Sequence, residues 1–187
     1  ANGWAMVLVA AKTKRIGIVT VGKAHQDLMQ ALADLRLSTI TLQTLGISIY
    51  KVAMSWPLET VGMTGFARDH EELLVIEEKR GTVEGQIKEA LFHISACSRP
   101  RVVGKQDQHG RPLLPEASEF TPLLLARVLV DRLGGGELRQ RLAELEALSV
   151  MPVSKGFPVR TPYFCSGCPH NTSTRTPDGS ISGGGIG

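Results

Sequence analysis

An α/β fold, a three-layer open and mostly parallel sheet with helices on both faces, is predicted by three features of the sequence. Apolar β-branched runs alternate with segments of helical periodicity, the signature of strand–helix–strand crossovers. Apolar residues make up 42% and aromatics 5%, so the core is built of Leu, Ile, Val and Ala. The length of 187 residues suits one medium α/β domain with additional segments.

The first strand is Arg15 to Val21, ended by Gly22-Lys23. Ala24 to Leu35 follows as a helix, with Leu28, Ala31, Leu32 and Leu35 at spacings of three and four on one stripe. A helix through Ser38 to Leu45 leads to a strand from Ile47 to Met54, and Trp56-Pro57 turns into a helix from Leu58 to Asp69. Proline there stands at the first helical turn, where its missing N–H costs least, with Glu59 near the positive helix end. Leu73 to Glu77 is the third strand, and Glu78 to Gly81 its exit. Thr82 is the expected N-cap of a helix reaching about Ile94.

The rhythm then fails. Arg101 to Gly104 is a short strand candidate, and Lys105 to Pro112 a polar turn or hairpin. The first domain is therefore expected to occupy 1–96. Residues 97–160 hold the strand and hairpin, a helical connector and a linker. The connector is two helices, Thr121 to Leu133 and Glu137 to Leu148, divided by Gly134-Gly135-Gly136 with positive φ. Pro152, Gly156, Pro158 and Pro162 mark the extended linker. Residues 161–187 form a truncated, irregular C-terminal segment. The tail Ser182 to Gly187 reads as a flexible end or as a sequence cut in mid-loop.

Charge excludes some functions. The net charge of +3 is small and mixed, with the whole excess lying beyond residue 94, so no nucleic-acid partner is expected. The longest uncharged apolar stretch, Trp4 to Ala11, falls far short of the ~20 residues of a membrane span, and nothing resembles a secretory signal. A cytoplasmic location is the expectation. Three cysteines make no disulfide framework and fit a reducing compartment with a local metal or redox site.

Cys165 and Cys168, followed by Pro169 and His170, place two soft ligands in one tight turn. This is half a site, since zinc and iron–sulfur centres need four ligands. An iron–sulfur half-site, a zinc half-site and a structural turn with inert thiols carry equal weight, with redox chemistry behind them. Gly22-Lys23 lacks both the P-loop and the dinucleotide fingerprint and reads as a tight-turn glycine. Glu77, Glu78, Lys79 and Arg80 stand at a strand's carboxyl end, where open α/β sheets place functional groups, but a solvated charge cluster is the preferred reading. Trp56 is expected to be buried at the top of the sheet rather than to face a neighbouring subunit or domain. His25, His70, His93 and His109 are isolated, structural or exposed.

Five blocks in order resemble the indolepyruvate ferredoxin oxidoreductases, within the thiamine-diphosphate-dependent 2-oxoacid:ferredoxin oxidoreductases. They are Ile16 to Ala24, the W-P-L-E turn at Trp56, Val75 to Arg80, Pro100 to Lys105, and F-C-S-G-C-P-H-N at Phe164 to Asn171. The resemblance implies a transketolase C-terminal-like domain at 1–96 and the start of a thiamine-pyrophosphate domain at 161–187, hence a piece of a longer enzyme. That enzyme would carry out CoA-dependent oxidative decarboxylation of indolepyruvate or other arylpyruvates with ferredoxin as acceptor, using thiamine diphosphate, Mg2+ and [4Fe–4S] clusters. The partners implied are the enzyme's remaining domains, ferredoxin and CoA, with a homodimer possible. Cys165 and Cys168 match two ligands of the cluster nearest thiamine. A third would lie beyond Gly187, so no cofactor is expected to stay bound here and no turnover is expected alone. The competing reading is a non-catalytic α/β binding or scaffold module with a zinc-knuckle tail.

Overall fold

The computed structural model describes residues 5–150 and 164–181, in two compact units, the first ending at Val150 and the second beginning at Met151. The linker prolines Pro152, Pro158 and Pro162, with Gly156, and the 182–187 tail lie outside the described residues.

Five strands carry the first unit: β1 (Met6–Val9), β2 (Ile16–Val21), β3 (Ile47–Val52), β4 (Glu72–Ile76) and β5 (Arg101–Val103), in spatial order β1-β3-β2-β4-β5. β2 pairs in parallel with β3 on one side and β4 on the other, and β5 extends the parallel set beyond β4. β1 is antiparallel to β3, with a bulge between Val7 and Val9. The fold class is thus the predicted one, with one antiparallel edge strand that sequence reasoning missed.

Strand alternation divides the core in two. Ile16, Ile18, Ile47, Ile49, Leu74 and Ile76 face α1 (Lys23–Asp34), α2 (Thr39–Thr44) and α5 (Pro122–Leu133). Val19, Tyr50, Val52, Leu73 and Val75 face α3 (Thr60–Ala67) and α4 (Thr82–Ala90). The predicted α1 stripe is the buried one, with Leu28 and Ala31 fully enclosed. α6 (Gly136–Ser149) buries no residue fully and lays Leu138, Leu142 and Leu145 against the first cluster.

Local expectations need four corrections. α3 starts at Thr60, because the Glu59 carboxylate accepts Val61 N and Gly62 N, so Pro57 precedes the helix. Thr82 is the first residue of α4 rather than its cap; Gly81 stands at the N-cap and offers no side chain, and the orphan N–H groups of Val83 and Glu84 go to the Glu77 carboxylate. α4 also stops at Ala90, short of Ile94. The first unit runs on to Val150 rather than closing at residue 96, since β5 joins the sheet and Leu125, Ala126 and Leu129 of α5 are enclosed in its core. α5 is a layer of the domain, not a connector. Gly134 and Gly135 do take positive φ, at 70° and 100°, and Gln106 bridges Pro112 in the expected hairpin.

Candidate functional site

The order β1-β3-β2-β4-β5 reverses at β2: the chain steps from β2 to β3 on one side, then crosses to β4 on the other. Open α/β sheets place their ligand crevice outside the carboxyl ends at such a reversal. Here a cleft of about 690 Å³ opens there, lined by Gly22, Lys23, Ser55, Glu78, Arg80 and Glu116 among others. Gly22 ends β2 at φ 59°, a conformation that turns the chain directly into α1.

The charges at this edge engage one another. Lys23 Nζ donates to Asp27 Oδ2 at 3.0 Å, Glu78 Oε1 at 3.3 Å and the Phe120 carbonyl at 2.9 Å. The hydrogen bond to Asp27, with the weaker one to Glu78, keeps its ammonium above the ordinary lysine range against its partial desolvation. Glu78 Oε1 also accepts Phe120 N at 2.8 Å, the principal cause that holds its carboxyl below the usual range. Lys105 is buried, with Nζ donating to the carbonyls of Glu77 (2.6 Å) and Pro115 (3.1 Å) and lying 5.1 Å from the Phe120 ring centroid. Burial pushes its pKa down, against the pull of Glu77, Glu84 and other carboxylates. Lys105 N meanwhile donates to Glu84 Oε2 at 2.8 Å. The segment from Gly104 to Phe120 is thereby fastened across the sheet's carboxyl end.

Glu77 is therefore no member of a solvated cluster: it is 4% exposed and caps α4. Lys79 and Arg80 are exposed, as expected of that cluster. Lys105, Asp27 and the Phe120 backbone were missed. A lysine directly after a strand-ending Gly104 was the available signal for the first; the backbone partners left none. Trp56, in the loop between β3 and α3, is 69% exposed, against the expectation of burial, and joins Pro57 through a cis peptide bond. His93 and His109 are exposed, while His25 and His70 are buried. His25 Nδ1 lies 3.0 Å from Thr20 Oγ1, and burial with the nearby Lys51 lowers its pKa.

In the second unit, Cys168 N donates to Cys165 O at 3.0 Å, closing the C-x-x-C turn before α7 (His170–Ser173). Asn171 Nδ2 donates to the same carbonyl at 3.0 Å. Cys168 Sγ lies 3.2 Å from His170 Nδ1, and the His170 ring stacks on Phe164 with centroids 5.2 Å apart. Cys165 is exposed and Cys168 partly so. Two thiols in one turn have the chemistry of half a cluster or zinc cage, but among the described residues no three His, Cys, Asp or Glu side chains converge on one point. No described helix is long and apolar enough to cross a membrane.

No match was found among curated proteins. Among solved structures, the chain is similar to a split-gene transketolase described as an inactive beta4 tetramer, at 16% identity and TM-score 0.41, over 77% of this chain and 42% of that one. It is also similar to the 2-oxoglutarate:ferredoxin oxidoreductase of Magnetococcus marinus with 2-oxoglutarate, coenzyme A and succinyl-CoA bound, at 17% identity and TM-score 0.42, over 74% of this chain and 19% of that one. The chain thus spans less than half of either. The model of the indolepyruvate oxidoreductase domain matches residues 6–150, the sheet unit nearly end to end, and the chain belongs to that family.

Proposed function

We propose that this chain is a segment of a cytoplasmic, CoA-dependent 2-oxoacid:ferredoxin oxidoreductase acting on indolepyruvate or related arylpyruvates, in which the sheet unit is a structural, transketolase C-terminal-like domain. Membership of the indolepyruvate oxidoreductase family over residues 6–150 carries the reading. The site geometry agrees with a supporting role. At the carboxyl edge Lys23 and Glu78 each bond the Phe120 backbone, and Lys105 Nζ joins the carbonyls of Glu77 and Pro115, so these charges hold the 104–120 segment in place. In the whole enzyme thiamine diphosphate with Mg2+ would supply the decarboxylation chemistry. The Gly-Asp-Gly sequence of the related magnesium sites does not occur in these 187 residues, so the residues present do not fit that group.

Cys165 and Cys168 would give two ligands to an iron–sulfur cluster completed by residues outside this chain. The 3.2 Å approach of His170 Nδ1 to Cys168 Sγ favours a second reading, a zinc-knuckle turn on a scaffold module, because imidazole is a ready zinc ligand. The test is the enzyme encoded by the complete reading frame, purified anaerobically. Indolepyruvate- and CoA-dependent reduction of ferredoxin, lost in Cys165→Ser and Cys168→Ser together with cluster absorbance, is the expected result. Zinc at one equivalent in place of iron, with no oxoacid-dependent reduction, would overturn it. The isolated chain is expected to reduce no ferredoxin and to hold no stoichiometric [4Fe–4S] cluster after reconstitution.

A further inference from the structure

β5 is the edge strand of the sheet opposite β1, and among the described residues it pairs with β4 alone. Beside it a cleft of about 460 Å³ is lined by Lys88, Phe92, Ala96, Arg99, Arg101 and Val102. Its charge is of one sign at the surface. Lys88 and Arg101 are 51% and 63% exposed in their side chains, whereas their counter-carboxylates, Glu84 and Glu72, are only 6% exposed. The cations therefore face solvent while the balancing anions lie beneath them. Arg99 is exposed and donates to the Phe92 carbonyl at 3.3 Å. Between Glu89 and Asp107 the sequence holds no acidic residue, and its exposed cations there are Arg99 and Arg101. Phe92, 69% exposed, stands among these cations with His93 edge-on at 5.4 Å. An exposed aromatic ringed by arginine is the composition enriched in protein interfaces, and an unpaired strand edge offers backbone groups to a partner.

We propose that the β5 edge docks an acidic protein surface, with carboxylates meeting Lys88, Arg99 and Arg101 and an apolar side chain covering Phe92. Charge complementarity selects this partner. A nucleic acid is the poorer fit, because the molecule carries a net charge of only +3 and the cleft is centred on an apolar ring. Resting on the function proposed above, the acidic protein is the electron acceptor of the reaction.

The test uses the complete enzyme and an acidic ferredoxin as the probe. Binding is read by fluorescence anisotropy of labelled ferredoxin at low and high salt, and turnover with ferredoxin or methyl viologen as acceptor. Arg99→Glu disturbs neither ion pair and Phe92→Ala removes an exposed ring, so both variants keep their core contacts. Each is expected to raise the ferredoxin Kd, by about tenfold at low salt for the charge reversal, while viologen turnover stays at the wild-type rate. Unchanged ferredoxin binding in both variants would overturn the proposal, as would displacement of ferredoxin by an equal concentration of duplex DNA. Binding that behaves as expected in an enzyme inactive with both acceptors would leave the docking surface standing and sink the enzymatic reading instead.

Discussion

At the scale of single residues, two positions show how closely the second face of the sheet is packed. A Cβ at Gly17, the second residue of β2, would stand 2.7 Å from Leu73 Cδ2 and 2.9 Å from Phe66 Cε1, both on buried side chains that would have to shift. Gly17→Ala should lower stability by about 1–3 kcal/mol from overpacking, which outweighs the roughly 0.4–1 kcal/mol gained from a stiffer unfolded chain; the urea midpoint measures the balance. His70 is a strain of a different kind. Its Nδ1–H donates to the Phe66 carbonyl at 2.8 Å, its ring packs on Phe66 at 4.8 Å, and Nε2 is buried with no partner among the described residues. Burial, with Lys14 nearby, holds the imidazole below its ordinary value of 6.5, although the Phe66 hydrogen bond and Asp69 oppose this. The unfolded chain therefore takes up a proton that the folded chain refuses. Stability should fall as pH drops through 6.5 and level off below the folded pKa. His70→Phe should flatten that slope in denaturant midpoints collected across the range; an unchanged slope would assign it elsewhere, His25 being the other buried, depressed imidazole.

At the scale of elements, α5 is tied to the amino end of β4 by charge as well as by packing. Arg132 Nη1 donates to both Glu72 oxygens at 3.2 and 3.0 Å, and the side chains are 14% and 6% exposed. Such a pair is costly to break from one side, because the remaining charge stays buried. Arg132→Met leaves Glu72 only the more exposed Arg101, at 3.7 Å, and should lose about 1–3 kcal/mol, whereas the double variant Arg132→Met with Glu72→Leu should lose less; a thermodynamic cycle over Arg132→Met, Glu72→Leu and the double variant checks the difference. This tie explains part of what the sequence could and could not reveal. β2, β3, β4 and α1 were legible because burial on one or two faces imposes period and length on the residues themselves. β1 was not, since Met6 to Val9 belong to a uniformly apolar run and three of the four are exposed at an edge, leaving no alternation to read. The charges at the carboxyl ends were legible as charges, but their partners were not. Phe120 answers Glu78 and Lys23 with backbone atoms, to which side-chain chemistry gives no clue, across separations that only the folded chain closes.

At the scale of the whole molecule, the sheet and the α5 layer share one buried cluster within one compact unit, and this decides where the chain can be cut. Reading the alternation of strands and helices places a boundary at residue 96, where the regular rhythm ends. The core does not respect that boundary. Val103, Leu114, Phe120, Leu125, Ala126 and Leu129 lie in the same buried cluster as Ile18, Leu28, Ile49 and Leu74. Removing residues 97–187 would strip the cover from α1 and from one face of β2, β3 and β4, and would leave Glu72 without Arg132 and Glu78 without Phe120. The five large side chains among them, at about 1.5–3 kcal/mol each, are comparable with the whole of the roughly 5–15 kcal/mol by which a domain of this size is stable. A chain ending at residue 96 should therefore lack a cooperative thermal transition and bind a hydrophobic dye. A chain ending at residue 150 keeps every one of these contacts and should unfold in a single transition within a few degrees of the full chain. Calorimetry on the two truncations separates the alternatives: a sharp transition in the shorter chain would mean that β5 and α5 are an addition to a self-sufficient sheet, and an unfolded longer chain would mean that the second unit is needed to hold the first together.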